Sequence, residues 1–265
     1  MSDRPGYVIA VLLLIASASA ADAVDVTACG QHVGPGETGV LQSDVDCTAS
    51  AEPIAAVYLG NRATLSLNGH TIIARADIDG VLGDVARRCT IEGPGTITGA
   101  RTAFASGQTR MTIRDVTLVG NRGSIDVPLG RVDLTDVTAS SSVGGVRAET
   151  VRATRVTVTT NGGGDCILGG TFRGTDVTVT GCHTGIAMQY GVRATRLDDR
   201  DNVTVGVVGS RVRLVDSVVT GNTFLGQPLD LLSRRRPSLL LTTCDASAQL
   251  IDQTVGPAWG VCAGD

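Results

Sequence analysis

Three charged residues of the chain could form a site for cleaving an acidic polysaccharide: Asp126, Arg147 and Glu149. Asp126 and Arg147 are 21 residues apart and Glu149 follows two positions later, so the three meet only if the chain repeats with that period. Glycoside hydrolases use two carboxylates about 5–10 Å apart, whereas polysaccharide lyases use a base and a group that neutralises the substrate's acid. Asp165 and His183 precede later repeats and could join this candidate catalytic set.

A second set of residues could bind a polyanion. Four arginines recur at intervals of 20 or 21 residues and, with Tyr190, are the candidate substrate-binding residues: Arg152, Arg173, Arg193 and Arg213. A planar guanidinium group binds a carboxylate or a sulfate through two parallel hydrogen bonds. The structural alternative is a solvated lattice of ion pairs, each contributing about 0–1 kcal/mol. The carboxylates of that lattice would come from the neighbouring column, in which acids and arginines largely alternate: Asp115, Asp136, Arg155, Asp176, Arg196 and Asp216.

The chain repeats with a period of about 21 residues, and this repeat predicts which residues lie together. Equivalent apolar residues mark successive repeats, with one further repeat between the second and the third: Val57, Val81, Ile125, Val146, Ile167, Ile186, Val207 and Leu231. Within a repeat, apolar and polar residues alternate over three short strands, with a two-residue break at Arg114-Asp115 and its equivalents. Such strands bury their apolar sides only when repeats stack about 4.8 Å apart, which predicts a parallel solenoid of roughly nine to ten coils.

The composition supports an all-β chain and excludes several classes of protein. The 265 residues include 34 Gly and no lysine, and only 3% are aromatic. Abundant Val, Thr and Gly suit strands and tight turns rather than helices. A net charge of −4 argues against a nucleic-acid partner, which needs a basic face. Because the chain has three histidines and no Cys-x-x-Cys motif, no metal site is expected.

The N-terminus and the cysteines indicate export to the periplasm, the cell surface or the medium. Residues 1–20 carry Arg4, an apolar run and Ala18-Ser19-Ala20, which are typical of a signal peptide cleaved near Ala21. No later segment is long and apolar enough to span a bilayer. Cys89 is expected to be a buried thiol, and the other six cysteines lie in near pairs that suit an oxidising compartment: Cys29 with Cys47, Cys166 with Cys182, and Cys244 with Cys262.

Several segments resemble the right-handed parallel β-helix proteins of the pectate-lyase-like superfold. The segments are LSLNGHTI, CTIEGPGTITG, VTLVGN, VTVTTN and VTVTGC, and the resemblance covers about residues 55–227. The segments ACG…GVLQSDVDCT and TTCD…GPAWGVC are similar to the disulfide-stapled ends of exported bacterial β-helix proteins of unassigned role. Together with the repeat and the N-terminal pattern, the resemblance predicts an all-β, right-handed parallel β-helix with four parts: a signal peptide (1–20), an N-terminal cap (21–54), coils (55–232) and a C-terminal cap (233–265).

The resemblance leaves the activity open, because this superfold hosts lyases, hydrolases, epimerases and adhesins. It implies that a carbohydrate would bind along the strands that start at the following residues: Ile125, Val146, Ile167, Ile186 and Val207. The chain departs from the enzymes of the superfold. It lacks the Asp-Asp, Gly-His-Gly and Arg-x-Lys set of polygalacturonases and the calcium-binding Asp cluster and downstream Arg of pectate lyases. The repeats are also short and contain no long insertion that could form the walls of a cleft.

We therefore expect a non-catalytic scaffold of the cell envelope or the extracellular space, or a protein that interacts with carbohydrate. The alternative is a polysaccharide lyase or a glycoside hydrolase that acts on an acidic polysaccharide. No cofactor is expected in the first case, and Ca²⁺ is expected only for a lyase. An acidic polysaccharide is the expected partner, and the oligomeric state stays open.

Asp199 stands in a column of residues that are otherwise apolar: Leu118, Ala139, Val158, Val179 and Val219. An ionised carboxylate that faced the core would be costly unless it were paired. We expect a local bulge that turns Asp199 outward. Pairing with Arg200 or with a buried ligand is the alternative.

Overall fold

A computed structural model describes residues 23–50, 54–83, 87–107, 110–161, 163–252 and 254–265. The predicted signal peptide, residues 1–20, and its cleavage position at Ala21 lie outside the described residues. Strand makes up 67% of the structure, and the described ranges contain no helix. None of these residues forms a helix of the length and hydropathy needed to cross a bilayer. The fold is a parallel β-helix of about nine turns with about 21 residues per turn, as the repeat predicts.

Each turn of the β-helix contributes short strands to three faces, and the strands are numbered in chain order. The first are β1 (Ala23–Val26), β2 (Gln31–Val33), β3 (Thr38–Leu41), β4 (Val45–Asp46), β5 (Ala55–Leu59), β6 (Thr64–Ser66), β7 (Thr71–Ile73), β8 (Asp79–Gly83), β9 (Arg88–Thr98), β10 (Thr102–Ser106) and β11 (Arg110–Thr160). They are followed by β12 (Ile167–Thr180), β13 (Ile186–Arg200), β14 (Val207–Gly209), β15 (Val212–Val215), β16 (Val218–Thr220), β17 (Thr223–Phe224), β18 (Gln227–Pro228), β19 (Leu231–Ser233), β20 (Ser238–Leu240), β21 (Thr243–Cys244), β22 (Ser247–Ile251) and β23 (Thr254–Ala258). The long strands β9 and β11–β13 bend round corners and so contribute to more than one face.

Parallel pairing runs along the axis on all three faces. Face 1 contains β2, β5, β8, β10, β14, β19 and β22; face 2 contains β1, β3, β6, β15 and β20; face 3 contains β4, β7, β16 and β21. On face 1, Phe104 pairs with Val81 on one side and with Ile125 on the other, so it anchors the further repeat predicted between them. The later anchors pair in the predicted order: Val146, Ile167, Ile186, Val207 and Leu231.

Aliphatic residues fill the interior in columns that follow the same register. One column on face 2 is buried along its length: Met111, Val132, Val151, Phe172, Val192 and Val212. Phe172 pairs with Val151 on one turn and with Val192 on the next, which confirms the predicted offset. Because rungs stack about 4.8 Å apart, each side chain covers its equivalent on the next turn and apolar surface leaves water without long loops.

The corner between faces 2 and 3 is made by one residue per turn in the left-handed backbone region. The φ angle lies between 49° and 57° at each member of this corner column: Asp115, Asp136, Arg155, Asp176, Arg196 and Asp216. Aspartate tolerates this region better than most residues because its short polar side chain can hydrogen-bond locally. The corner column coincides with the predicted two-residue break and turns the chain without a loop.

Both ends extend the pairing beyond the coils predicted for residues 55–232. Near the start, β1 pairs with β3 and β2 with β5, and near the end β20 and β21 pair with β15 and β16. The strand β23 then pairs antiparallel with β22 at the end of face 1. A strand edge covered in this way is protected against pairing with another chain.

The three predicted cysteine pairs lie at disulfide distance. Their Cα–Cα distances are 5.6 Å for Cys29–Cys47, 5.6 Å for Cys166–Cys182 and 5.0 Å for Cys244–Cys262. The first and third pairs lie near the two ends of the β-helix, and the second joins adjacent turns in its middle. Three such pairs fit an extracellular or periplasmic protein.

Cys89 is the free cysteine of the described chain, and it is fully buried, as predicted. Burial raises the pKa of its thiol to about 11. Because the thiolate is the reactive form, we expect iodoacetamide near neutral pH to label Cys89 only after denaturation. Mass spectrometry of peptides prepared without reduction measures this. Labelling of the folded protein, or a bridge between Cys89 and Cys47, would contradict the expectation.

The outward bulge expected at Asp199 is wrong. The residue is fully buried, and its strand keeps register with both neighbouring turns. Arg200 pairs with Asp198 instead and faces solvent. The physical reason is that two glycines next to this carboxyl group leave space for it inside the coil. A side-chain carbon on Gly185 would lie 2.1 Å from Asp199 Oδ2, and one on Gly206 would lie 2.6 Å from Oδ1, so two glycines make room for the carboxyl group.

Asp199 belongs to a buried polar network with Asn202, Asn222 and Asp230. Asn202 Nδ2 donates to Asp199 Oδ1 and to Asn222 Oδ1, each at 2.8 Å. Asn222 Nδ2 donates to Asp230 Oδ1 at 2.9 Å, and Asp230 Oδ2 accepts from the backbone N–H groups of residues 245–246. Asp199 Oδ2 accepts no hydrogen bond. The network therefore joins successive turns to the C-terminal segment and contains one unsatisfied oxygen.

Candidate functional site

A cleft of about 430 Å³ opens on face 1, where arginines and aspartates from successive turns converge. Its charged side chains are Arg101, Arg122, Asp126, Arg147 and Asp165. Two of them, Asp126 and Arg147, occupy outward positions on face 1, and the other three lie in the corner that leads into it. Three glycines of that corner have no side chain to fill the space, so the cleft stays open.

The structure brings together Asp126 and Arg147, two of the candidate catalytic residues. Arg147 Nη1 lies 3.9 Å from Asp126 Oδ1, which is the outer limit of an ion pair, and about half of each side chain is exposed. Asp126 Oδ1 is shielded from solvent yet accepts no hydrogen bond. This loose pair leaves guanidinium donors and a carboxylate acceptor available to a ligand with hydroxyl and acidic groups.

Arg101 and Arg122 were not among the residues predicted from the sequence. Arg101 donates two hydrogen bonds, of 3.0 and 2.8 Å, to the buried carboxylate of Asp79. Arg122 is exposed and forms no ion pair within the described part of the chain. The repeat could have identified both residues. They are 21 positions apart, and the residues that follow them, Thr102 and Gly123, pair across the turns.

Glu149 and Tyr190 lie outside the cleft, at the corner between faces 1 and 2. Glu149 reaches over the next turn, since a side-chain carbon on Gly170 would lie 2.5 Å from its Oε1. Tyr190 is 53% exposed, two turns further along. Asp165 lines the cleft, while His183, whose Nδ1 is 3.7 Å from Asp165 Oδ1, does not. The candidate catalytic set is therefore only partly assembled in one place.

The cleft can hold a sugar, but its described residues form no metal centre. Leu168 and Val143 are 38% and 51% exposed in its wall, where they could pack against the C–H face of a pyranose ring. Within the described ranges, no three His, Cys, Asp or Glu side chains are grouped to hold a metal ion. Asp126 lies on β11 and Asp165 in the corner before β12, two rungs further along, so the two residues are about 10 Å apart along the axis. That spacing is near the upper limit for the two carboxylates of an inverting hydrolase, about 9.5 Å.

Four arginines of face 2 form a second charged surface, the arginine ladder. Arg152, Arg173, Arg193 and Arg213 pair in register on successive turns, and all four are exposed. Three members of the ladder, Arg152, Arg173 and Arg193, line a groove of about 310 Å³ together with three threonines: Thr154, Thr175 and Thr195. Among the described residues, no carboxylate or other side chain forms an ion pair or a hydrogen bond with the four guanidinium groups.

The acids that were expected to neutralise the ladder pair within the corner column instead. Asp136 receives two hydrogen bonds from Arg155, at 2.5 and 2.7 Å. Asp176 receives two from Arg196 at the same distances. These hydrogen bonds lower the pKa of both carboxyl groups. An ion-pair lattice is thus present, but it is confined to the corner, and the ladder keeps its positive charge.

The cleft on face 1 and the arginine ladder on face 2 are separate surfaces with different chemistry. The cleft combines both signs of charge with an apolar wall, whereas the ladder repeats one cation on each of four turns. None of the protein-family models, curated proteins and solved structures with which the chain was compared matches it. Inferences about function therefore depend on these two surfaces.

Proposed function

We propose that the protein is an exported β-helix that binds an acidic polysaccharide outside the cytoplasm without cleaving it. The signal-peptide pattern of residues 1–20 and the three cysteine pairs support export. The proposal depends above all on the arginine ladder, because four aligned cations have no carboxylate partner in the described structure. Like charges stacked on neighbouring strands repel, and an anionic ligand would offset that repulsion.

Binding without cleavage is favoured by the surroundings of the ladder. Cleavage needs a group that can donate or accept a proton at the scissile bond. In the corner column beside the ladder, hydrogen bonds from arginine lower the pKa of Asp136 and Asp176, which makes both poor proton donors. Each carboxylate is also bound by Arg155 or Arg196, which leaves it a weak proton acceptor.

A polysaccharide panel tests the proposal. Mature protein is incubated with acidic and neutral polysaccharides, with and without Ca²⁺, while binding, new reducing ends and ultraviolet-absorbing unsaturated products are followed together. We expect acidic polymers to bind, affinity to fall as salt rises, and no products to form. Formation of products would contradict binding without cleavage, and an absence of binding to every acidic polymer would contradict the proposal as a whole.

Two single variants locate the binding surface. Arg173→Ala is expected to weaken the binding of an acidic polysaccharide about tenfold, because one charge-assisted hydrogen bond is lost. Arg147→Ala removes the same charge from the cleft and is expected to leave the affinity within about twofold. Isothermal titration calorimetry measures both. The reverse order of effects would move the binding site from the ladder to the cleft.

A polysaccharide lyase or glycoside hydrolase is the second candidate, and one observation favours it. Asp126 lines the cleft with one carboxylate oxygen that accepts no hydrogen bond, and Asp165 supplies a second carboxylate there. If the protein is an enzyme, the panel would give products whose formation stops in Asp126→Asn and in Arg147→Ala. The same activity would persist in Arg173→Ala, which lies on the other face.

A further inference from the structure

We infer that the ligand of the arginine ladder is a linear polysaccharide with one negative charge on every sugar, bound parallel to the axis of the β-helix. This inference rests on the proposed function and adds the charge spacing and the direction of the ligand. Rungs of a β-helix are about 4.8 Å apart, and one pyranose unit of a linear chain has a comparable length. The four guanidinium groups lie in register on successive rungs. A chain parallel to the axis therefore places an anion opposite each of them only if every sugar carries a negative charge.

The neighbours of the ladder limit how many charged sugars it can hold. On the turn before the ladder, the equivalent position is Asp133, which is held by Arg131 at 2.6 Å and by Arg110 at 3.3 Å. A carboxylate ligand gains nothing from this already neutralised aspartate. On the turn after the ladder, Arg213 pairs with the uncharged Ser238. The four rungs span about 14 Å, so binding should strengthen most strongly up to four charged sugars.

Hydroxyl groups beside the ladder suit a sugar. On three of the four rungs a threonine follows two positions after the arginine and lines the same groove: Thr154, Thr175 and Thr195. Residues two positions apart on a strand lie on the same side of the sheet. A hydroxyl group both donates and accepts hydrogen bonds, as do the hydroxyl groups of a sugar. Three of the four rungs thus offer one cation and one hydroxyl, which matches a repeating unit with one carboxylate and neighbouring hydroxyl groups.

Oligosaccharides of equal total charge and different charge spacing test the inference. A four-sugar oligogalacturonate carries one carboxylate on every sugar, and an eight-sugar hyaluronan fragment carries four carboxylates over twice the length. We expect calorimetry at low salt to show about tenfold tighter binding of the oligogalacturonate, and the gain per added galacturonate to fall beyond four. Equal affinity at equal charge would overturn the inference and leave the proposed function standing. Binding of neither oligosaccharide, nor of any longer acidic polymer, would overturn both.

Two matched variants distinguish binding by the ladder from a general effect of positive charge nearby. Arg193→Gln removes a cation from the ladder. Arg196→Gln is the matched control, because it removes a cation from the corner column, three residues further along the chain, where Asp176 is the partner of Arg196. The ladder variant is expected to lose about tenfold in affinity for the oligogalacturonate while its melting temperature stays equal or rises, because repulsion is relieved. The corner variant is expected to keep its affinity within about twofold. Equal losses in the two variants would overturn the inference.

Discussion

Replacing Asp230 with alanine is expected to destabilise the protein by about 3 kcal/mol or more and to loosen its C-terminal turns. The carboxylate is fully buried and accepts from Asn222 Nδ2 at 2.9 Å and from the backbone N–H groups of Asn222, Asp245 and Ala246 at 3.3, 2.5 and 3.2 Å. Alanine would leave these donors inside the protein without an acceptor, at a cost of about 1–3 kcal/mol each. Equilibrium denaturation in urea measures the loss.

The exposed Asp198 provides the control for this variant. Its partner is Arg200, and exposed pairs contribute about 0–1 kcal/mol, so Asp198→Ala should change the free energy of unfolding by less than about 1 kcal/mol. Hydrogen exchange gives a local readout, because the amides of residues 245–246 are expected to lose protection only in Asp230→Ala. Similar stability of the two variants would show that the buried carboxylate does not hold the C-terminal turns.

Replacing Asp199 with asparagine is expected to have the opposite effect and to stabilise the protein increasingly as pH rises. Burial, and then the proximity of Asp230, raise the pKa of Asp199 well above its usual range. One of its oxygens also has no hydrogen-bond donor. An amide of similar shape is neutral and keeps an oxygen for the hydrogen bond from Asn202. The gain at alkaline pH should be on the order of 1–3 kcal/mol, the cost of an unsatisfied buried group.

The raised pKa determines how the stability difference between the wild type and Asp199→Asn changes with pH. A raised pKa in the folded state means that the folded protein holds the proton more tightly than the unfolded chain does. The resulting stability is fully present below the ordinary Asp pKa of 3.8 and is lost as pH rises through the raised folded value. The free energy of unfolding of the wild type should therefore fall relative to that of Asp199→Asn as pH increases.

Urea denaturation at a series of pH values, with Asp198→Asn as the exposed control, measures this difference. The control removes a carboxylate from the outward side of the same strand and should show no comparable trend. A constant difference between wild type and Asp199→Asn at all pH values would contradict the raised pKa. A variant that is less stable than the wild type at alkaline pH would show that the carboxylate is compensated in the folded state.

Stability and the proposed function oppose each other at the arginine ladder as well. Four stacked cations without partners cost stability in the folded protein. In the corner column, three residues further along each turn, Arg155 and Arg196 pair with aspartates of the preceding turns and avoid this repulsion. Residues that reduce stability without a local compensation are typical of functional sites. The contrast between two neighbouring columns is the reason for placing ligand binding on the ladder.

The sequence by itself determined the architecture of this protein. An offset of about 21 residues aligns residues of one type, so the column that contains Val151 and Phe172 could be assigned to the interior and the column of Arg152 and Arg173 to the surface. The cysteine pairs followed from the same local spacing. The pairing of Asp126 with Arg147 was also predictable, because both occupy the same outward position on successive turns. Backbone hydrogen bonds between parallel strands impose one register, and every turn repeats it.

Only the tertiary structure decided which polar groups meet and which remain alone. Asp199 stays inside because Gly185 and Gly206, which stand where the chain enters face 1, leave it room. Asp136 binds Arg155 rather than the ladder because both belong to the left-handed corner, which directs their side chains towards each other. The first outcome depends on free volume between residues that the repeat does not relate, and the second on the direction in which side chains leave the corner. The period therefore specifies which residues stack, whereas free volume and side-chain direction decide how their charges pair.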